Sequence, residues 1–150
     1  MAMAGGGAGN ERAAAAAALE ALYALLPGIE CQRLCHSACG PIVMSALEAD
    51  RIASTAGRRE VAEDLVCPYL ERESGLCGVY PLRPLICRLW GVTESLRCQW
   101  GCEPSRVLSD AEVGTLIEQA LELAGGEVAT VWRGWASMLR AAERPGGLEG

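Results

Sequence analysis

The 150-residue chain has no phenylalanine, no lysine and a single histidine, His36. All 13 of its positive charges are arginines. Schiff-base and lysine-general-base chemistry are therefore excluded, and histidine-rich sites or Ser–His–Asp triads cannot be assembled. Long apolar runs are missing too. No segment approaches the ~18–20 unbroken apolar residues of a membrane span. The alanine-rich start lacks the basic region of a signal peptide, and Glu11, Arg12 and Glu20 interrupt it. The net charge is −6, with acidic residues spread through the predicted helices, which leaves no broad basic footprint for nucleic acid. The expectation is a cytoplasmic protein that meets neither membrane nor nucleic acid.

Against these absences stand eight cysteines: Cys31, Cys35, Cys39, Cys67, Cys77, Cys87, Cys98 and Cys102. In a reducing cytosol such a set points to metal binding rather than disulfides. The stretch from Cys67 to Gly91 organises the rest. Cys67 and Cys77 flank a turn at Ser74-Gly75, so a short hairpin brings them together. Pro84 suits the first turn of a short helix that Gly91 ends, and Cys87 lies on it. Three soft ligands are thus delivered to one place. Upstream, Cys31, Cys35 and Cys39 recur every four residues. On a helix they would share a face, and in a loop they would wrap around an ion. Cys98 and Cys102 repeat the same spacing near Pro104. His36 sits among the first three as an alternate ligand.

Local signals predict a mainly α fold: one small domain of four to five helices with one short β-hairpin, organised around a cysteine-ligated metal site. A disordered tail is expected over 1–9, a single cysteine-cluster metal-binding domain over 10–144, and a frayed tail over 145–150. Asn10 is the expected N-cap of a helix to about Leu26, stopped by Pro27-Gly28. Ser45 with Glu48, and Ser109 with Glu112, have the capping-box spacing and open two further helices. The second of these ends at Gly125-Gly126. A last helix is expected over 127–143, with Trp132 and Trp135 on its apolar face.

Thiolate sulfur suits zinc, copper(I) or iron–sulfur clusters. Eight cysteines divide as two sites of four, or as one cluster plus spare thiols. Every close pair here is C-x3-C, whereas zinc ribbons use C-x2-C knuckles. Arg33, Arg83, Arg88 and Arg97 lie near cysteines in sequence, where their charge would offset that of the thiolates.

The run Gly75-Leu76-Cys77-Gly78-Val79-Tyr80, then Arg83-Pro84 and Cys87-Arg88, resembles the cysteine-cluster proteins of the YkgJ type, a zinc- or iron-chelating domain. Cys67-Pro68-Tyr69-Leu70 and the apolar segment after the first cysteines also match that pattern. The first half departs from it. The family has C-x2-C-x2-C-C, whereas the spacing here is three, and Gly40 replaces the second of the doubled cysteines. One ligand is then absent, or supplied by Cys98, Cys102 or His36. The resemblance implies eight cysteines binding zinc or iron and no established reaction. Some relatives are described as iron–sulfur oxidoreductases.

The expected function is a metal-binding protein with a Cys-ligated centre, redox-active or accessory to a modification enzyme. Iron or an iron–sulfur cluster is slightly preferred, with zinc as the alternative. The rival readings are a structural-zinc interaction module and a thiol-based metal buffer or delivery protein. No catalytic residue is identifiable apart from the cysteines, and an unidentified protein partner stays open.

Overall fold

A computed structural model describes residues 6–40 and 42–130. Among the described residues there are four α-helices, α1 (Gly6–Tyr23), α2 (Ala46–Ala56), α3 (Leu85–Leu89) and α4 (Asp110–Leu123). Four short strands join them: β1 (Val43–Ser45), β2 (Leu70–Glu71), β3 (Leu76–Cys77) and β4 (Val128–Thr130). The expected mainly helical fold with a hairpin is present.

The capping boxes act as their spacing predicts. The Ser45 hydroxyl accepts from the Glu48 N–H while the Glu48 carboxylate accepts from the Ser45 N–H, and Ser109 and Glu112 do the same at α4. The Ser109 N–H, then Arg106 and the Ser109 hydroxyl, hold the Glu112 carboxyl down at about 2. An unfolded Glu titrates near ~4.3. The folded value is depressed, so this cap stabilises fully above ~4.3 and is lost as pH falls through about 2. Amide protection in the first turn of α4, taken relative to the intrinsic exchange rate at each pH, should fall across that window and stay flat above it.

Two boundaries differ from expectation. Helix α1 starts at Gly6, so Asn10 lies inside it rather than capping it. At its other end Leu25 and Leu26 donate to Leu22 and Tyr23 three residues back, which tightens the last turn before Pro27. The second difference is larger. Residues 128–130, expected to begin a helix, form β4 and pair antiparallel with β1, Val43 opposite Thr130 and Ser45 opposite Val128. Val128 and Thr130 are β-branched and find a partner strand with Val43 at its start, so tertiary pairing overrides helical spacing. The remainder of the expected helix, with Trp132 and Trp135, lies outside the described residues.

Two apolar clusters hold these elements. Leu19, Leu22 and Tyr23 of α1 pack with Leu85 and Leu89 of α3, Val92, Leu108, and Ala120 of α4. Met44, Ile52, Tyr69 and Val79 form the second cluster, against which Cys67 and Cys77 pack. Glu48 stands between them, 3% exposed. Its carboxylate accepts from the Tyr23 hydroxyl at 2.7 Å, the Leu85 N–H at 2.6 Å, the Ser45 N–H at 2.9 Å and the Ser45 hydroxyl at 3.0 Å. Burial, then the Glu48 carboxylate, hold the Tyr23 phenol well above its usual range, so it remains a donor. One carboxylate thus joins α1, the start of α2 and the start of α3.

Candidate metal centre

The hairpin places the first two cysteines of the central stretch. Leu70 pairs with Cys77, and the Leu70 N–H donates to the Cys67 carbonyl at 3.1 Å. Gly75, at φ +70°, makes the turn, and His36 lies over it, so near that a Cβ on Gly75 would meet Nδ1 at 3.3 Å. Pro84 caps α3 and leaves the Leu85 N–H for Glu48, which orients the turn carrying Cys87. From upstream, the Cys67 N–H donates to the Cys39 carbonyl at 3.0 Å. That bond brings the last cysteine of the first group to the hairpin. The first group itself is not one helix. Cys31 lies in an extended loop, Arg33 has φ 56°, and only Cys35–Ala38 form a turn of 3-10 helix.

All eight cysteines are free thiols, and each is partly buried. Their mutual electrostatics sort them into two sets. Burial first, then the thiolates of Cys67, Cys77 and Cys39, push the Cys87 thiol up to about 12. Burial, then Cys67, Cys35 and Cys77, push Cys39 up to about 11. Burial also raises Cys67, against the Tyr69 N–H, with Cys77 adding to the rise and the Leu70 N–H opposing it. Cys87 thus feels Cys67, Cys77 and Cys39, Cys39 feels Cys67 and Cys77, and Cys67 feels Cys77.

The other four form a separate set. Cys35 is raised by burial, then by Cys31 and Cys98. At Cys102 the Gln32 N–H pulls down, but burial, the Cys98 hydrogen bond and the charges of Cys98 and Cys31 raise it overall. At Cys98 burial works against ionisation, yet the N–H groups of Cys102, Trp100 and Gly101 and the Cys102 side chain outweigh it and lower the thiol. The two sets touch through Cys35 and Cys39 alone among the causes just named.

Arg83 serves both sets, its charge pulling down on Cys35 and on Cys87. Its guanidinium lies 3.6 Å from the centre of the Tyr80 ring, with Arg33 at 3.8 Å. The other arginines near cysteines are engaged elsewhere. Arg88 donates to the Arg83 and Pro81 carbonyls and covers the Tyr23 ring, and Arg97 pairs with Glu103 at 3.1 Å.

Among the described residues no three Cys, His, Asp or Glu side chains stand close enough to hold a metal ion as they are. The apolar clusters and the Glu48 hydrogen bonds are the ordering contacts among the described residues. The donor chemistry nonetheless fits a thiolate-bound ion. The Arg33 N–H donates to the Cys31 sulfur at 3.3 Å, and neighbouring backbone N–H groups pull down the thiols of Cys67, Cys98 and Cys102. Such bonds favour the deprotonated sulfur that a metal needs.

Residues 30–115, more than half of the chain, match the CxxCxxCC family, described as "Putative zinc- or iron-chelating domain". The chain belongs to the CxxCxxCC family. The match begins at the residue before Cys31 and runs past Cys102, so all eight cysteines of this member fall inside it. Comparisons with curated proteins and with solved structures give no match. No helix among the described residues is long and apolar enough to cross a membrane.

Two residues beside the cysteines escape sequence reasoning. Glu48 reads there only as half of a capping box. Trp90 carries no spacing signal, yet its indole Nε1 is buried without a hydrogen-bond partner among the described residues. Gly91, next to it, has φ +89°, and a Cβ there would lie 3.0 Å from Ile29 Cδ1 and 3.7 Å from Cys98 Cβ. Gly91→Ala should cost about 1–2 kcal/mol from the left-handed backbone alone, seen as a lowered thermal midpoint.

Proposed function

We propose that this CxxCxxCC-family chain chelates a soft metal ion through Cys39, Cys67, Cys77 and Cys87, forming a four-thiolate centre at the hairpin. The observation that carries the reading is that Cys67 and Cys77 share the hairpin and pack against the second apolar cluster, with Cys39 tied to Cys67 by a backbone hydrogen bond, and that burial and the charges of Cys67, Cys77 and Cys39 all raise Cys87. Thiol sets of this kind select zinc, copper(I) or iron. Without a cation the neighbouring negative charges and burial keep the thiols protonated, and a bound cation reverses both penalties. Arg83 contributes the remaining compensation.

Of the soft metals, iron is favoured slightly over zinc, in a centre that is redox-active or accessory to a modification enzyme. A closed four-thiolate zinc site would instead be structural. Metal and acid-labile sulfide analysis of anaerobically purified protein, beside a visible spectrum, separates these. Coloured protein with iron, bleached by dithionite, supports the iron reading. Colourless protein with stoichiometric zinc removes the redox role and leaves a structural module. Folded protein with neither metal refutes the chelation reading.

A further inference from the structure

Tyr80 carries two guanidinium groups on its ring. That of Arg83 lies 3.6 Å from the ring centre and that of Arg33 lies 3.8 Å from it. Two guanidiniums this near the centre of one face would overlap, so the ring stands between them. Their carbon centres are then roughly 7 Å apart, the two distances laid end to end. Stacking engages the flat face of a guanidinium and leaves its in-plane N–H donors available. Those donors are unused here. Arg83 donates through Nε alone, to the Tyr80 carbonyl at 3.1 Å. Among the described residues, the terminal nitrogens of Arg83 and the whole guanidinium of Arg33 have no hydrogen bond and no carboxylate partner. Arg12, Arg51, Arg58, Arg72, Arg97 and Arg106 each have a carboxylate partner.

The backbone at Arg33 is a second, independent observation. Its φ of 56° is left-handed. That conformation costs energy for any residue but glycine, and such strain clusters at binding sites. The Arg33 N–H donates to Cys31 Sγ at 3.3 Å, which pins the turn from which the side chain reaches Tyr80. Arg33 is exposed, whereas Tyr80 and Arg83 are half-buried, so the stack is anchored below and open above. Compensation of thiolate charge accounts for Arg83, whose charge acts on Cys35 and Cys87, and leaves Arg33 unexplained.

The spacing selects the occupant. In an extended peptide, side chains two residues apart point the same way at about 6.5 Å from each other, whereas neighbours point to opposite faces. Carboxylates on alternate residues therefore reach both guanidiniums, each of which can hold one by two parallel N–H bonds. Arginine clusters are a recurring means of reading acidic segments, and arginine and tyrosine commonly anchor interfaces. We propose that Arg33, Tyr80 and Arg83 form a docking platform for an extended acidic segment of a partner protein, with carboxylates from residues two apart on the two guanidiniums. The inference goes beyond the chelation reading and does not depend on it.

The test titrates the full chain, as purified, into fluorescein-labelled peptides and reads anisotropy. One peptide has two glutamates two residues apart, a second has them adjacent, and a third has glutamines at the alternate positions. The expected order is alternate above adjacent by several-fold, with no binding of the glutamine form. Arg33→Gly removes one guanidinium and relieves the left-handed backbone. Affinity should fall about tenfold or more, while the thermal midpoint stays or rises. Arg33→Lys keeps the charge without the fork and should fall between the two. No binding by the parent chain, equal binding of the glutamine peptide, or undiminished binding by Arg33→Gly overturns the platform. Equal affinity for adjacent and alternate glutamates overturns the paired docking. A lowered midpoint in Arg33→Gly overturns the strain argument, and parent-like affinity in Arg33→Lys overturns the two-bond contact. Displacement of the peptide by equimolar inorganic phosphate would assign the guanidiniums to a free anion and overturn the peptide reading.

Discussion

Removing metal from the full chain at neutral pH is expected to unfold the hairpin and the segment that holds Cys87. Four-thiolate zinc sites contribute about 10–16 kcal/mol in small domains, whereas a whole domain retains only about 5–15 kcal/mol of net stability. The second apolar cluster is small, with four buried members, so it has little else to keep Cys67 and Cys77 in place. Far-UV circular dichroism should lose signal as a strong chelator is added, and recover when metal is returned. Acid should act in the same direction. Cys87 and Cys39, raised to about 12 and about 11, and Cys67, also raised, are protonated at neutral pH when no cation is present. Binding displaces those protons. Affinity should then fall on acidification by about tenfold per pH unit for each proton displaced. Metal titrations at several pH values measure this, and an affinity independent of pH would exclude these thiols as ligands.

Replacing Glu48 with alanine is expected to destabilise the protein by about 3–5 kcal/mol, since several buried donors lose their acceptor at about 1–3 kcal/mol each. The change leaves the Leu85 N–H, the Tyr23 hydroxyl and the Ser45 N–H without their acceptor in a buried setting. It also uncaps α2 and frees the start of α3, two residues before Cys87. Glu48→Gln should cost less, about 1–3 kcal/mol. An amide keeps the volume but offers one accepting oxygen, which can serve Ser45 or the Tyr23–Leu85 pair but not both. Denaturant unfolding of the two variants checks the order. Equal losses would mean that the charge and second acceptor, which both changes remove, set the cost, and that the volume glutamine keeps does not.

What could be read from the amino acids follows the range of each interaction. Ser45 with Glu48, Ser109 with Glu112, the Ser74-Gly75 turn and Pro84 before α3 act across a few residues, and each does what its chemistry dictates. The pairing of β1 with β4 spans most of the chain, and nothing near Val128 announces the partner strand. The division of the cysteines is hidden for the same reason. Equal spacing groups Cys31, Cys35 and Cys39, yet the fold parts them. The Ile29–Pro104 bridge takes the first two towards Cys98 and Cys102, while the Cys67–Cys39 backbone bond takes the third to the hairpin. Arg83 could be suspected from its nearness to Cys87, but its reach to Cys35 depends on that same long-range arrangement.

The central claim is that sulfur of this chain binds metal, and X-ray absorption at the edge of the co-purifying metal tests it most directly. The account predicts a first coordination shell of about four sulfur atoms near ~2.3 Å if the metal is zinc, and likewise an all-sulfur shell if it is iron. A shell of nitrogen and oxygen, or folded protein that carries no metal and eight reactive thiols, would contradict it.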